Sequence, residues 1–287
     1  MQTIVVSGAS GFVGKAVCEK LAENNFRVIA LVRTKSSSKE FKHKNISSKV
    51  VDIFNETSLA NAIKGSSVFF HFIGTSRKTT DQSYDKMNVE STQIALNACK
   101  KSSVKKFVYL SGLGVSPANN QVYFRSKRQA EEVIKKSKID FTIFRPSYLI
   151  GKDNRFTNLI LKQAKEGKIF VPGSGNYRLQ PILVDDFARI CVNLVDNKKA
   201  KKKIFDLVGP KVLSFKEFCV LVCKEASVKS SFEFVPLEKA IQGAMNSSNP
   251  PYSVGELVVL VSDTFSKHGP LEAVFGLKLT SLDLALR

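Results

Sequence analysis

Short apolar runs alternate with amphipathic segments along the first 150 residues of the chain. The runs are rich in Val, Ile and Phe, and they cover residues 3–7, 27–33, 49–53, 67–74, 106–112 and 140–146. The segments between them have helical character and cover residues 12–24, 56–64, 81–101 and 123–137. Near-continuous apolar strands are typical of a parallel sheet that is covered on both faces. The alternating order therefore predicts an α/β fold with a doubly wound parallel sheet.

The order of elements becomes less regular after residue 150. We expect helices at 155–166, from Asp185, at 214–226 and at 252–264, a strand at 178–184, and loops at 171–178 and 243–253. The run at 203–209 is expected to return to the sheet as its seventh strand. The sequence thus predicts one domain over residues 1–150 and a smaller α/β substrate lobe over 151–287, interwoven with the sheet.

A glycine-rich turn follows the first apolar run. Gly8, Gly11 and Gly14 are spaced three and three, between the end of the first strand and the start of the first helix. Gly8 permits a tight turn, Gly11 lets the backbone approach a pyrophosphate, and Gly14 lets the helix pack close to the strand. Free N–H groups at the start of the helix then receive the phosphates. The motif predicts a Rossmann-type NAD(P) site, and the same turn includes Ser10, Phe12 and Val13.

The end of the second run indicates which dinucleotide is bound. NAD sites place Asp or Glu there, about 20 residues beyond the glycines, to hold the ribose 2′-hydroxyl. Here Arg33 and Lys35 occupy that region, and no acid appears before Glu40. Basic side chains favour a 2′-phosphate, so we predict NADP(H), with NAD(H) as the alternative if Arg33 is only a solvated strand end. Asp52 and Ile53 follow the third run, where Asp52 either binds the adenine amino group or caps the next helix.

Tyr123 and Lys127 form the candidate catalytic pair. Their i, i+4 spacing puts both on one face of the predicted helix, one turn apart. A cationic Lys127 beside Tyr123 would favour the phenolate and lower its pKa, so that Tyr123 could act as acid or base near neutral pH. Lys127 could also hold the nicotinamide ribose. Taken by itself, such a pair is typical of any helix surface. Its position after the fifth strand of a dinucleotide-binding fold makes the pattern more specific.

Several segments together resemble the short-chain dehydrogenase/reductase superfamily, in its extended or atypical branch. They read SGASGFVG from Ser7, HFIG from His71, MNVESTQIALNACKKSSVKKFVYLSG from Met87, YFRSK from Tyr123 and FRPSYLIG from Phe144. The resemblance implies that Asn88 fixes a water or a backbone group. It also implies that further residues line the adenosine or the nicotinamide, namely Phe72, Ile73, Gly74, Ser111, Pro146 and Ser147.

One position departs from the pattern of that superfamily. The superfamily places Ser or Thr near the end of the fifth strand to hold the substrate oxygen, whereas this chain has Gly112 there and Ser111 one residue earlier. Adjacent strand residues point to opposite faces, so Ser111 need not replace the missing hydroxyl. Ser111 nevertheless remains a candidate catalytic residue, together with Tyr123, Lys127 and Asn88.

The C-terminal half resembles the group around the nucleotide-binding accessory subunit of respiratory complex I, which shades into NmrA-like and NAD-dependent epimerase/dehydratase proteins. The segments RPSYLIGKDNRFTNLI, VPGSGNYRLQPILVDDFARI, FDLVGPKVLSFKEF and FGLKLTSLDLAL carry this resemblance. Two hypotheses follow, an NADP(H)-dependent oxidoreductase or epimerase-like enzyme and a non-catalytic dinucleotide-binding subunit. The pair Tyr123 and Lys127 favours the enzyme, whereas Gly112 and the complex I resemblance favour the subunit.

The formal net charge of +19 is carried mainly by lysines, since only ten of the 44 basic residues are Arg. Neither a reading helix nor basic residues interleaved with aromatics accompanies this charge, so we do not expect nucleic acid as a partner. A solvated lysine-rich surface is favoured, and attraction to an acidic membrane surface or association with a respiratory complex stays open. The chain shows neither a long apolar run nor the features of a signal peptide, and the cytosol is the expected location.

No metal site is expected from the cysteines and histidines. The five cysteines are scattered and form no C-x-x-C pair, which is typical of free thiols in a reducing compartment. Cys219 and Cys223 are interpreted as small apolar residues on one helix face. His43, His71 and His268 lie too far apart in sequence to make a zinc pattern.

Overall fold

The computed structural model describes residues 1–75, 83–248, 250–266 and 271–282. Its strands are β1 Thr3–Ser7, β2 Arg27–Val32, β3 Ile46–Val50, β4 Val68–His71, β5 Lys106–Leu110, β6 Asp140–Pro146, β7 Leu149–Ile150, β8 Lys168–Pro172, β9 Arg178–Leu179, β10 Ile182–Leu183, β11 Lys203–Leu207, β12 Leu213–Ser214 and β13 Ser231–Val235. The α-helices are α1 Phe12–Glu23, α2 Lys35–Ser38, α3 Glu56–Ile63, α4 Ser91–Lys101, α5 Val122–Lys136, α6 Arg155–Lys165, α7 Val184–Leu194, α8 Phe215–Glu225, α9 Leu237–Asn246, α10 Val254–Leu260 and α11 Leu271–Phe275. A π-helix over Asp85–Glu90 leads into α4, and a 3₁₀ turn covers Lys198–Ala200.

Seven parallel strands form the central sheet in the order β11-β6-β5-β4-β1-β2-β3. The chain runs outward from β1 through β2 to β3, and then returns to β4 on the other side of β1. A ligand of such a sheet binds beyond the carboxyl ends of the strands, where the order reverses. The structure confirms the predicted doubly wound parallel sheet, including the return of β11.

Helices cover both faces of this sheet, which explains why its inner strands, such as β1 and β4, are apolar on both sides. On one face α1 and α7 pack together, and their buried residues include Val17, Leu21 and Ile190. On the other face α3, α4 and α5 bury side chains such as Leu59 and Ile134 against the sheet. The two cores hold the carboxyl edge of the sheet in place, and that edge carries the candidate site.

A third core forms the smaller lobe. The parallel pair β8 and β13 packs with α6, α8 and α10, and Phe215 and Phe218 are fully buried there. Ser214 and Ser253 are the N-cap residues of α8 and α10, and each forms a capping box with the glutamate three residues later. In a capping box the serine side chain accepts from the glutamate backbone N–H, and the glutamate side chain accepts from the serine backbone N–H.

Several predicted boundaries are wrong. The strand expected at 178–184 is two short strands in different sheets, because Pro181 between them has no N–H to donate. The helix expected at 252–264 is shorter and corresponds to α10 alone. The loop expected at 243–253 begins later than predicted, because α9 includes its first residues. The third strand lies three residues earlier than expected. The helix expected at 81–101 begins outside the described residues and includes the π-helix.

Candidate functional site

The glycine turn has the close approaches that the sequence motif requires. Gly8 has φ +69°, and a Cβ built on it would lie 3.1 Å from the main-chain carbonyl of Phe72. A Cβ on Gly14 would lie 2.8 Å from Ala9 Cα, so only glycine lets α1 pack this close to β1. Gly11 is the N-cap of α1, and the first turn of that helix carries no acid. The positive helix end and the bare backbone fit a pyrophosphate.

A cavity of about 330 Å³ lies beside this turn, at the carboxyl ends of β1, β2 and β3. Six of its wall residues were predicted as cofactor contacts, namely Gly8, Ser10, Arg33, Asp52, Ile53 and Ile73. The remaining wall residues are Leu31, Val32, Thr34, Ser37, Val51, Phe54 and Met87. Polar groups therefore converge on an otherwise apolar cavity, which suits the adenosine end of a dinucleotide.

At the end of β2 the cavity wall carries one cation and two hydroxyl groups. Arg33 lies next to Thr34 and Ser37, whereas Lys35 begins α2 and is outside the described wall. Thr34 Oγ1 accepts a hydrogen bond from the Ser37 backbone N–H at 3.3 Å. The hydroxyl groups of Thr34 and Ser37 were not predicted from the sequence, although they lie within two residues of Lys35.

Asp52 also lies on the cavity wall. Its Oδ1 accepts a hydrogen bond from the Phe54 backbone N–H at 3.0 Å, while Asn55 caps α3. The alternative role of Asp52 as a helix cap is therefore wrong. Asp52 is the one acid among the described wall residues, and it follows β3 rather than the end of β2.

Tyr123 lies half-buried in the first turn of α5. Its ring packs edge-on against Phe124 and Tyr84, at centroid distances of 5.1 and 6.1 Å. Burial raises the pKa of Tyr123 to about 12. The predicted lowering of this pKa by Lys127 is wrong, because burial of the phenol dominates.

Lys127 is buried one turn further along α5 and points to the end of β5. Its Nζ donates to the Leu110 carbonyl at 3.0 Å and to Tyr109 Oη at 3.3 Å. Burial lowers the pKa of Lys127 to about 8, against the opposing effect of Glu131. An ammonium group has three donors, so one N–H remains after these two contacts. Tyr109 was not predicted as a site residue, because its contact with Lys127 depends on how α5 packs against β5.

Asn88 and Gly74 lie beside Lys127. A Cβ on Gly74 would be 2.8 Å from Lys127 Nζ and 2.9 Å from Asn88 Oδ1, so these three residues meet at one point. Asn88 Oδ1 accepts from the Thr75 backbone N–H at 3.1 Å, and Asn88 Nδ2 donates to Ser126 Oγ at 2.9 Å. Asn88 thus fixes a backbone group, and it lies in the π-helix, an irregularity frequent at functional sites.

Gly112, and not Ser111, faces the candidate catalytic tyrosine. A Cβ on Gly112 would lie 3.2 Å from Tyr123 Oη. Ser111 Oγ instead donates to Glu131 Oε1 at 2.7 Å, and the fully buried Glu131 also receives Arg145 Nε at 2.9 Å and Nη2 at 2.6 Å. The geometry corrects the expectation for Ser111, whose hydroxyl belongs to a buried ion pair.

A family model described as NAD(P)H-binding matches residues 8–198, from the glycine turn through α7. The chain belongs to the NAD(P)H-binding family. The matched part includes every described residue of the cavity wall, together with Tyr123 and Lys127.

This NAD(P)H-binding protein is similar to subunits of respiratory complex I. It is 24% identical over 252 residues to the mitochondrial NADH-ubiquinone oxidoreductase 40 kDa subunit of Neurospora crassa, covering 86% of this chain and 66% of that subunit. It is 27% identical over 227 residues to the mitochondrial NADH dehydrogenase [ubiquinone] 1 alpha subcomplex subunit 9 of Arabidopsis thaliana, covering 76% of this chain and 56% of that subunit. The chain thus spans less than two thirds of the length of either relative.

Among solved structures, the NAD(P)H-binding protein resembles a nucleoside-diphosphate-sugar epimerase from Staphylococcus aureus. The TM-score is 0.80 at 18% identity, with 100% of this chain and 99% of the epimerase covered. At this identity the likeness shows the fold.

The turn after β6 connects the NAD(P)H-binding core to the smaller lobe. Ser147 Oγ donates to the Thr264 carbonyl at 2.6 Å and accepts from the Gln180 backbone N–H at 3.1 Å. The Pro146 carbonyl accepts from the Leu113 N–H at 2.8 Å. Both residues were predicted beside the nicotinamide, and the Ser147 hydroxyl is used to hold the lobe.

The remaining predicted contacts are packing residues of the same edge. Phe72 packs on Phe187 at 5.7 Å, and Val13 packs against the core shared by α1 and α7. The Phe12 ring lies next to Gly151, on which a Cβ would be 3.4 Å away. These side chains shape the edge, and none of them lies on the described wall of the cavity.

The described cysteines and histidines form no metal cluster, and all five cysteines are buried and free. His71 is fully buried between the hydroxyls of Ser7 at 2.9 Å and Ser91 at 3.4 Å, and burial lowers its pKa to about 3, so it stays neutral. His268 lies outside the described residues. In the described part of the chain, no helix has the length and apolar character needed to cross a membrane.

Proposed function

We propose that this protein binds NADPH in preference to NADH and reduces a carbonyl group, with the substrate held by the lobe over 151–287. The observation that carries the proposal is one continuous edge of the sheet. The cavity proposed for the adenosine lies at this edge, with Arg33 and the hydroxyls of Thr34 and Ser37 on its wall. The pair Tyr123 and Lys127 lies along the same edge. A 2′-phosphate would find a cation and hydroxyl donors there.

The residues of the site divide the chemistry between them. A bound NADPH would supply a hydride. Tyr123 would donate its phenolic proton to the oxygen of the carbonyl, and the neutral phenol is the form that its raised pKa maintains at pH 7. Lys127 would use its remaining N–H to hold a ribose hydroxyl, while Asn88 keeps the Thr75 backbone in place.

A second candidate function is that of a subunit that holds NADPH without turning it over. The observation that favours it is the absence of a hydroxyl at Gly112, while the Ser111 hydroxyl is bound to Glu131. The relatives from Neurospora crassa and Arabidopsis thaliana are both named as subunits of respiratory complex I. In this case the chain would associate with a respiratory complex, whereas the cytosolic location and contact with an acidic membrane surface stay predictions from the sequence.

Single-turnover oxidation of bound NADPH separates these functions. The purified chain is mixed with one equivalent of NADPH and then with a panel of aldehydes, ketones and nucleoside-diphosphate sugars, and the absorbance of the reduced nicotinamide is followed. Loss of absorbance with a member of the panel, absent in Tyr123→Phe, supports the reductase. Tight NADPH binding with no oxidation across the panel supports the subunit. Failure to bind NADPH contradicts both.

A further inference from the structure

Lysines cluster at the amino edge of the central sheet, opposite the edge that carries the dinucleotide cavity. The strands β11, β6, β5 and β4 are adjacent and parallel, so the turns that lead into them lie side by side. The four strands span about 14 Å at the usual spacing of about 4.8 Å. We call basic edge the six exposed lysines in these turns or at the first position of the strand, namely Lys64, Lys105, Lys138, Lys201, Lys202 and Lys203.

Main-chain hydrogen bonds hold these turns against one another. The Ser67 carbonyl accepts from the Lys105 N–H at 3.1 Å, and the Phe141 carbonyl accepts from the Lys202 N–H at 2.8 Å. Lys106 is buried beneath them, and its Nζ donates to two main-chain carbonyls at the end of α7, both at 3.0 Å. The basic edge is therefore a fixed surface of the fold.

The charge of the basic edge is not neutralised within the fold. The same turns and first strand positions contain two acids, Asp140 and Asp196. None of the six lysines forms an ion pair with another residue that the structure describes. Burial lowers the pKa of Lys106 against the effect of both acids, and the charge of Lys201 lowers it further. Like charges this close destabilise the compact state unless an anion lies near them.

Two of the lysines occupy backbone positions that suit glycine better. Lys138 has φ +63° and Lys202 has φ +53°, in the left-handed region where a side chain costs conformational energy. The corresponding turns into β2 and β4 have Asn25 and Gly65, residue types that tolerate this conformation. Lysine at the other two turns thus lowers stability, which indicates that its charge acts outside the fold.

The composition of the basic edge distinguishes among anionic partners. Protein interfaces are enriched in aromatic and Arg side chains and depleted of Lys, and sites for single-stranded nucleic acid add aromatic side chains on which bases stack. The basic edge has Lys as its cation, and none of the large exposed apolar residues of the described chain lies in its turns. A lipid bilayer requires no apolar contact, because its anionic headgroups diffuse laterally and collect beneath a row of lysines.

We propose that the basic edge is a docking surface for a membrane that contains anionic lipids. The ammonium groups lie among the headgroups and do not enter the hydrocarbon, since no large apolar side chain accompanies them. The dinucleotide cavity lies at the opposite edge of the sheet and faces away from the membrane. The proposal depends on neither NADPH preference nor turnover, so it can fail or succeed independently of the proposed function.

Sedimentation of the full chain with vesicles tests this docking. In dilute buffer, wild type should bind vesicles made of equal parts of phosphatidylcholine and phosphatidylserine, it should not bind vesicles of phosphatidylcholine alone, and salt should release it. The combined variant Lys201→Glu, Lys202→Glu and Lys203→Glu should bind at least about 100-fold more weakly, because each lysine near an anionic surface contributes about fivefold.

A matched variant separates a defined surface from net charge. Lys152→Glu, Lys229→Glu and Lys239→Glu together change the net charge equally, at exposed positions of the smaller lobe, and should keep the affinity within about fivefold. Circular dichroism checks that each variant is folded. Absence of binding to the mixed vesicles, or an equal loss in both combined variants, would overturn the proposal. Binding of wild type to polyglutamate but not to vesicles would overturn it in favour of an acidic protein.

Glycine variants remove charge without straining the backbone. Lys138→Gly combined with Lys202→Gly should weaken vesicle binding about 25-fold, while the melting temperature stays equal or rises because glycine suits both φ values. Unchanged vesicle affinity would overturn the proposal. A fall in the melting temperature would show that the two lysines serve the fold, and would overturn the argument from their backbone conformation.

Discussion

Among single residues, Tyr123 carries the proposed proton transfer. Tyr123→Phe removes one oxygen and keeps the ring contacts with Phe124 and Tyr84. We expect turnover to fall about 10²–10⁴-fold, the usual contribution of a positioned acid. The dissociation constant of NADPH should stay within about twofold, because the hydroxyl is assigned to the substrate. Steady-state kinetics and calorimetry check the two expectations, and an unchanged turnover would exclude Tyr123 as the acid.

Gly112 is the residue at which a missing hydroxyl can be restored. Its Cβ position is 3.2 Å from Tyr123 Oη, so Gly112→Ser would place a second hydroxyl beside the phenol after a small shift of that side chain. A net hydrogen bond of about 1 kcal/mol to the substrate oxygen would raise turnover about fivefold. Gly112→Ala adds the same Cβ without the oxygen and is the matched control. If both variants behave alike, the hydroxyl contributes nothing to the reaction.

Among secondary-structure elements, β5, α5 and β6 are joined by the buried cluster of Ser111, Glu131 and Arg145. Arg145→Met would leave Glu131 buried without its cation, and the free energy of unfolding should fall by about 3–5 kcal/mol. Ser111→Ala removes one hydrogen bond, so it should lower the free energy of unfolding by about 1 kcal/mol while turnover is retained. Urea unfolding and kinetics measure both effects. A large loss of turnover in a stable Ser111→Ala variant would restore Ser111 as a catalytic residue.

Most strands of the sheet could be predicted because they are continuous apolar runs with their own bounding residues, whereas β3, which reads ISSKV, was placed three residues too late. The pair β8 and β13 could not, since Lys168–Pro172 alternates exposed and buried side chains over only five residues and pairs with a strand far along the chain. The π-helix also has no signal in the sequence. It lies inside an ordinary amphipathic segment, and its register is set by the contacts of Asn88.

For the molecule as a whole, Lys127 adds a pH dependence to stability. Burial lowers its pKa from 10.5 to about 8, so between these values the unfolded chain binds more protons and the free energy of unfolding rises with pH. Relative to Lys127→Met, wild type should therefore gain about 3 kcal/mol, to order of magnitude, as the pH rises from 8 to 10.5. Urea unfolding of both proteins at several pH values in this window measures the difference in their free energies of unfolding. If that difference does not change with pH, the expectation is contradicted.

The spacing of glycines and the basic end of β2 predicted from sequence the edge at which the cavity lies, because those features act through the backbone and through local charge. Thr34, Ser37 and Tyr109 were missed, since their part depends on which way a side chain turns in the folded chain. The pKa of Tyr123 was predicted in the wrong direction because the burial of its phenol depends on how the folded chain packs. The carbonyl of Leu110 attracts the Lys127 ammonium group, and only the packing of α5 on β5 reveals that contact.

The preference for NADPH is tested most directly by calorimetric titration of the same protein with NADPH and with NADH, at low and at high salt. We predict that NADPH binds at least about tenfold more tightly at low salt, as expected for a charge-assisted hydrogen bond, and that salt narrows the difference. Arg33→Asp should abolish the preference, and Lys35→Ala, outside the cavity wall, should retain it. Equal affinities for the two dinucleotides at both salt concentrations would contradict the assignment of Arg33 and the 2′-phosphate.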